Sequence, residues 1–161
     1  MRIFLRCVAE AVGEHGVRGL VGLVPGGEFA WNVAVTAFAK YRNQLDQAAA
    51  REEVSQLARA GVEEARRVAA EVVREVAGGA AAEDRASLEL FLTQIPGATR
   101  RSLTRPEDPT GKTVPPGFAL NTADDVAKLL PDRLAPHRPG GRLPNRPTWE
   151  LVHLLGEGGF G

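Results

Sequence analysis

The stretch that decides the fold is residues 42–77, RNQLDQAAAREEVSQLARAGVEEARRVAAEVVREVA. Its small and aliphatic residues recur at alternating spacings of four and three, which is a heptad-like stripe along one helix face: Val54, Ala58, Gly61, Ala65, Val68 and Val72. We predict a long helical segment here, in one or two pieces, ended by Gly78-Gly79. Packing within its own bundle is favoured over an intermolecular coiled coil, because the stripe is short and lacks Leu. Glu63 precedes Arg67 by four residues, the favourable order for a surface ion pair.

Three more helices are predicted around this segment. Residues 2–13 give an amphipathic first helix, which should stop near Gly13 or Gly16 and in which Cys7, the single cysteine, is a buried thiol. Residues 28–39 give a second helix, whose apolar side chains wrap most of the circumference, so we expect it to be the most buried element. Residues 83–95 give another helix, which Pro96-Gly97 should stop. Residues 1–98 are therefore predicted to form a small bundle of four or five helices.

The character of the chain changes after residue 98. Residues 99–118 are first basic and then rich in Pro, Gly and Thr, which indicates an ordered loop or linker. A short helix is predicted at 122–130, with Thr122 as its N-cap and Asp125 three residues later. Residues 131–148 contain five prolines and four arginines, which is typical of an extended linker. The predicted linker thus covers residues 99–148 and marks a domain boundary.

Composition limits the classes of function. Twenty basic and twenty acidic side chains cancel, so no global field draws the protein to nucleic acid or to a membrane. The arginines from Arg133 to Arg146 have no interleaved aromatics, so we expect no nucleic-acid platform there. No run of about eighteen apolar residues or signal-peptide core is present, and with the lone cysteine this favours a reducing cytoplasm. For the apolar segment 17–39, a buried helix pair is favoured over a membrane-inserting hairpin.

The last residues, 149–161, read WELVHLLGEGGFG. A strand-like run, Leu151 to Leu155, leads directly into G-x-G-x-x-G. Glycines after a strand let backbone N–H groups approach phosphate oxygens closely, because no Cβ stands in the way. Two nucleotide-binding loops share this spacing, the Rossmann turn and the protein kinase loop. The mixed polar strand and the aromatic residue before the last glycine favour the kinase loop.

The segment closely resembles the first strand and glycine-rich loop of bacterial serine/threonine protein kinases, which open with W-E-L-x-x-L-L-G-x-G-G-F-G. The resemblance implies that ATP phosphates, with Mg²⁺, would be bound in a full-length kinase by Leu155, Gly156, Glu157, Gly158, Gly159, Phe160 and Gly161. Two upstream stretches, GLVPGGE (22–28) and DPTGKTVP (108–115), are more loosely similar to the region ahead of the kinase domain in planctomycete-type kinases.

The fold predicted is therefore mainly α: a helical bundle, a Pro/Arg-rich linker and, at 149–161, the first strand and glycine loop of a truncated kinase domain. The lysines, Lys40, Lys112 and Lys128, all precede the loop, so none can be the strand lysine that pairs with the phosphates. We expect the chain as given to be inactive and to bind no ATP. The helical region would then be a regulatory or interaction domain whose partners are protein substrates or regulators of the kinase. A free-standing interaction module with an incidental glycine tail, or a membrane-acting helical domain, are the alternatives.

Three other sequence patterns give weaker evidence of function. Gly111-Lys112-Thr113 is not a P-loop, because Pro106 stands where the first glycine is required. The histidines, His15, His137 and His153, lack companions at metal-ligand spacing. Ser102 and Thr104 follow Arg100-Arg101 and are candidate phosphorylation sites, although a solvated basic turn explains the same residues.

Overall fold

The computed structural model describes residues 1–23, 27–132, 142–143 and 146–150. The helices of this part are α1 (Arg2–His15), a 3-10 helix (Val17–Gly22), α2 (Glu28–Arg42), α3 (Gln47–Arg59), α4 (Val62–Val76), α5 (Ala82–Leu103) and α6 (Ala123–Ala127). Two short antiparallel strands follow, β1 (Arg142–Leu143) and β2 (Arg146–Glu150), with Arg142 opposite Glu150. The mainly α, bundled character predicted from the sequence is confirmed for this part of the chain. The predicted kinase strand and glycine loop lie outside the described residues.

Helix α1 is the centre of the bundle. It contacts α2, α3, α4 and α5, and seven of its side chains are almost fully buried: Phe4, Leu5, Cys7, Val8, Ala9, Ala11 and Val12. The helix ends at Gly16, whose φ of 89° is readily adopted only without a Cβ. The Phe4 ring meets the Tyr41 ring edge to face at 5.4 Å, and the Tyr41 hydroxyl donates to the Ala50 carbonyl at 3.1 Å. These contacts join α1 to α2 and α3.

Residues 42–77 form two helices, α3 and α4. Asp46 caps α3 by accepting from the Ala49 N–H at 2.8 Å. The helix stops at Ala60, where the backbone becomes extended, and the Ala60 carbonyl accepts from Arg100 Nη1 at 3.0 Å. The predicted stripe lies in the core of its own bundle except Gly61, which is exposed at the break; its buried members are Val54, Ala58, Ala65, Val68 and Val72. Packing within the bundle is therefore confirmed.

The predicted ion pair on α4 is wrong. Glu63 accepts from Arg66 at 3.0 Å, and Arg67 instead donates to Glu71 at 3.0 Å. Both pairs lie on the exposed face of the helix, where an arginine can pair with a carboxylate one turn before it or one turn after it. Spacing alone does not decide between such partners, because exposed pairs differ in free energy by only a few tenths of a kcal/mol.

The sequence had indicated that α2 is the most buried element, and this prediction is wrong. The most extensive contacts of α2 are with α1 and α6, so one face of α2 packs against the bundle, and the buried residues of that face are Val33, Ala34, Ala37 and Tyr41. Trp31 and Val35 remain 47% and 42% exposed on the opposite face. A helix that is apolar on every face is fully buried only if other helices surround it. In this bundle the surrounded helix is α1, not α2.

Helix α5 continues through Pro96 to Leu103, so the predicted stop at 95 is wrong. Proline inside a helix removes one backbone donor and costs about 3 kcal/mol. Side chains are buried on both sides of it, and this packing holds the helix together: Leu88, Phe91, Leu92 and Ile95 before the proline, and Ala98, Thr99 and Leu103 after it.

The core does not end at residue 98. Leu120, Val126, Leu129 and Leu130 are buried in the same hydrophobic cluster as α1. The capping box of Thr122 and Asp125 is confirmed, although α6 ends at Ala127 rather than at residue 130. Residues 99–130 therefore pack with the bundle, whereas the sequence had indicated a linker from 99 onward. The buried leucines are scattered among prolines and turns, so no periodicity reveals them.

Among the described helices, none combines the length and the apolar character needed to cross a membrane.

Candidate functional site

The residues predicted to hold ATP phosphates, Leu155 to Gly161, lie outside the described residues. Of the kinase-like segment, the structure describes Trp149 and Glu150, the last residues of β2. Three parts of the described bundle are candidate functional features: the loop after α5, two shallow surface depressions, and the outer face of α2.

Asp108 organises the loop after α5. One carboxylate oxygen accepts from the Thr110 hydroxyl at 2.6 Å and from its N–H at 3.1 Å. The other accepts from the Thr113 hydroxyl at 2.7 Å and from its N–H at 2.8 Å. Hydrogen bonds from Thr110, and then from Thr113, hold the pKa of Asp108 well below its usual range. The carboxylate is thus ionised and accepts four hydrogen bonds, so its role is to stabilise the loop rather than to act as a general base.

Neighbouring residues fasten the loop to the helices. Arg105 donates to the Leu103 carbonyl at 3.1 Å and to the Thr113 carbonyl at 2.9 Å. Arg51 of α3 donates to the carbonyls of the segment 114–116, at 2.6 and 3.1 Å. Gly111 has a φ of 62°, and a Cβ there would run into the backbone carbonyl of residue 100. Because the N–H of Thr113 is taken by Asp108, the GKT sequence presents no phosphate-binding cradle.

Two shallow depressions of about 280 Å³ each lie on the surface, the first between the end of α5 and the residues after α6, and the second between α3 and this loop. The first is lined by Ala98, Arg101, Ser102, Lys128, Leu130 and Asp132, and the second by Ala48, Arg51, Glu52, Ser55, Arg59, Thr113 and Val114. Each lining contains a single carboxylate and neither His nor Cys, so neither offers the paired groups of acid–base or nucleophilic catalysis. Within the described ranges no cluster of His, Cys, Asp and Glu could hold a metal ion.

The candidate phosphorylation sites lie at the end of α5. Ser102 is exposed in the last turn and borders the first depression beside Arg101 and Lys128. The Thr104 hydroxyl donates to the Arg100 carbonyl at 2.9 Å. A phosphate on Ser102 would meet cations, but it would also meet the negative end of the helix dipole. A solvated basic turn stays the favoured interpretation of these residues, and phosphorylation at either position is untested.

Two residues singled out in the sequence are structural. Cys7 is buried, as predicted, and burial raises the pKa of its thiol to about 11, so it is not a reactive nucleophile. His15 shares a hydrogen bond of 2.8 Å with the Thr36 hydroxyl, which ties α1 to α2. The other two histidines lie outside the described residues.

The outer face of α2 is the feature that the sequence prediction missed. The exposed residues of this helix follow spacings of three, four, four and three, and we call them the α2 stripe: Glu28, Trp31, Val35, Ala39 and Arg42. The spacing was legible in the sequence. The sequence does not show that this face is exposed, because apolar residues lie on both faces of the helix. Only the packing identifies the face that no other helix of the described part covers.

Comparison with protein-family models, with curated proteins and with solved structures gives no match to this chain. A relationship to protein kinases therefore rests on the resemblance of residues 149–161, and more loosely of residues 22–28 and 108–115, and it is a proposal.

Proposed function

We propose that residues 1–132 are a cytoplasmic interaction module ahead of the catalytic domain of a serine/threonine protein kinase, whose first strand and glycine loop are residues 149–161. The observation that carries this proposal is the continuous run WELVHLLGEGGFG. In the resemblance, this run supplies a first strand that leads into a glycine-rich loop over the ATP phosphates, with Phe160 just before the last glycine of that loop.

In this proposal Gly156, Gly158 and Gly161 allow the backbone to approach the phosphates, and Phe160 covers them. The strand lysine, the catalytic aspartate and the Mg²⁺-binding groups would follow Gly161 in the longer protein. The described part of the bundle offers no substitute for them, because Asp108 is occupied within its loop and the two depressions lack paired catalytic groups.

An interaction role for the bundle is supported by the α2 stripe. Large apolar side chains exposed on one helix face, with charges at its ends, are typical of protein contact surfaces. Kinase activity is commonly controlled through the positions of neighbouring elements, and a module immediately ahead of the domain is placed to supply such control. Its partners would be regulators or protein substrates of the kinase.

A second candidate function is a free-standing interaction module in which the glycine tail is incidental. The same stripe favours it, since the stripe needs nothing from residues 149–161.

The reading frame beyond codon 161 separates the two. We expect a valine directly after Gly161 and an A-x-K sequence within about fifteen residues. The extended protein should then show an ATP-dependent rise in melting temperature, while residues 1–161 alone show none. Absence of these residues in every frame would refute the kinase proposal and leave the free-standing module.

A further inference from the structure

The α2 stripe is a narrow surface along the whole helix. At 100° per residue its five side chains fall within an arc of about 80°, and they span about 21 Å. The other residues of α2 are buried or half-buried. The stripe is thus one continuous strip, with an apolar middle of Trp31, Val35 and Ala39 between an acidic and a basic end.

The stripe is complementary to itself under a two-fold rotation. Glu28 and Arg42 each lie seven residues from Val35, and Trp31 and Ala39 each lie four residues from it. If two copies of α2 pack antiparallel about an axis at Val35, each Glu28 faces an Arg42, and each Trp31 faces an Ala39. Opposite charges then meet, and the largest side chain meets the smallest. A parallel arrangement would instead bring like charges together.

The end charges of the stripe are free to make such contacts. Neither Glu28 nor Arg42 forms a side-chain ion pair or hydrogen bond with another residue of the described part. Lys40 on the inner edge of α2 contrasts with them, because it is already bound to Glu10 at 3.3 Å and to Glu14 at 2.9 Å. The charges that would face a second copy are therefore the ones that the bundle leaves unmatched.

We infer that the chain forms a two-fold symmetric dimer through antiparallel contact of the α2 stripes. Symmetric interfaces in which one patch meets itself are the commonest in homo-oligomers. A single helix pair buries much less than the roughly 1,600 Å² of a standard stable interface, so the dimer is weak and dissociates at micromolar concentrations. The inference goes beyond the proposed function and is independent of residues 149–161, so either can fail without the other.

Sedimentation equilibrium of the full chain, from about 5 to about 500 µM, tests the dimer at the concentrations expected of a weak interface. Val35→Lys would place two ammonium groups at the axis and should weaken association at least about tenfold. Val62 supplies the matched control, because it is 59% exposed on α4, outside the stripe. Val62→Lys should leave association within about twofold of wild type.

Charge reversal tests the antiparallel register. Glu28→Arg and Arg42→Glu should each weaken self-association about tenfold, since each creates two like-charge contacts per dimer. A mixture of the two variants should associate about as well as wild type, because both contacts between unlike chains are then attractive. Circular dichroism of each variant verifies that the bundle is folded.

Cross-linking tests the position of the axis. Helices in contact lie about 8–10 Å apart, within reach of a short bismaleimide. The native Cys7 is buried and will not compete, so Val35→Cys should give a covalent dimer and Val62→Cys should not. A wild-type chain that stays monomeric at about 500 µM, or a dimer that survives Val35→Lys, overturns the inference. So does a failure of the two charge variants to associate when mixed; a monomer would assign the stripe to a different protein partner.

Discussion

The substitution Leu129→Ala tests whether the segment after α5 belongs to the folded core or is a linker. Leu129 is 1% exposed and follows α6, which packs on α2. Truncating a fully buried leucine costs about 2–5 kcal/mol, because apolar burial is lost and a cavity is left. We expect about 3 kcal/mol less free energy of unfolding, a large fraction of the total for a domain of this size.

The assay is urea unfolding followed by circular dichroism at 222 nm and by tryptophan fluorescence, at about 5 µM so that association is negligible. The adjacent Lys128 provides the control: its side chain is 59% exposed and pairs with Asp124, so Lys128→Ala should cost less than about 1 kcal/mol. Coincident transitions by both probes, shifted together by Leu129→Ala, indicate one cooperative unit. A change below about 0.5 kcal/mol with Leu129→Ala would show that the segment is not part of the core.

Four further outcomes are expected. Gly111→Ala should destabilise the bundle, since φ is 62° and a Cβ would strike a backbone carbonyl of α5, whereas Gly117→Ala, with open space around it, should have little effect in the same urea titration. Thr99→Val should raise the melting temperature, because the buried Thr99 hydroxyl has no hydrogen-bond partner among the described residues; an unchanged or lower value would contradict this. Cys7 should resist iodoacetamide at pH 8 and react only in denaturant, because burial raises its pKa to about 11; rapid labelling of the native chain would show that the thiol is accessible. Asp108→Asn should be less stable than wild type at neutral pH, because the lowered folded-state pKa of Asp108 stabilises the fold at pH values above the unfolded value of 3.8. The stability difference should narrow steadily as pH falls below about 4 towards the folded-state pKa; a difference in thermal melts that is as large at pH 2 as at pH 7 would contradict this.

The helices could be predicted where periodicity and end signals agree. The heptad-like pattern of residues 54–72 and the capping box at Thr122 both favour the local structure that is also found in the folded bundle. Gly16 likewise ends α1 through its own backbone preference. In these places the local and the tertiary preferences coincide, so the sequence alone was sufficient.

Tertiary packing decided the remainder. Pro96 breaks helices by its local chemistry, but the buried side chains on both sides of it keep α5 continuous. Leu120 and Leu130 join the core from a segment whose composition resembles a linker. The α2 stripe depends on which helices surround α2, and that information is not contained in the apolar count of the helix. The candidate interaction site therefore became identifiable only once the neighbours of α2 were known.

The proposal that residues 149–161 begin a kinase domain is tested most directly by phosphoryl transfer. The protein encoded by the frame extended past Gly161 would be incubated with γ-labelled ATP and Mg²⁺, beside a variant in which the A-x-K lysine is replaced by Met. We expect label on Ser or Thr residues of the extended protein and no label in the lysine variant. A folded extended protein that neither binds ATP nor transfers label, or a lysine variant as active as its parent, would contradict it.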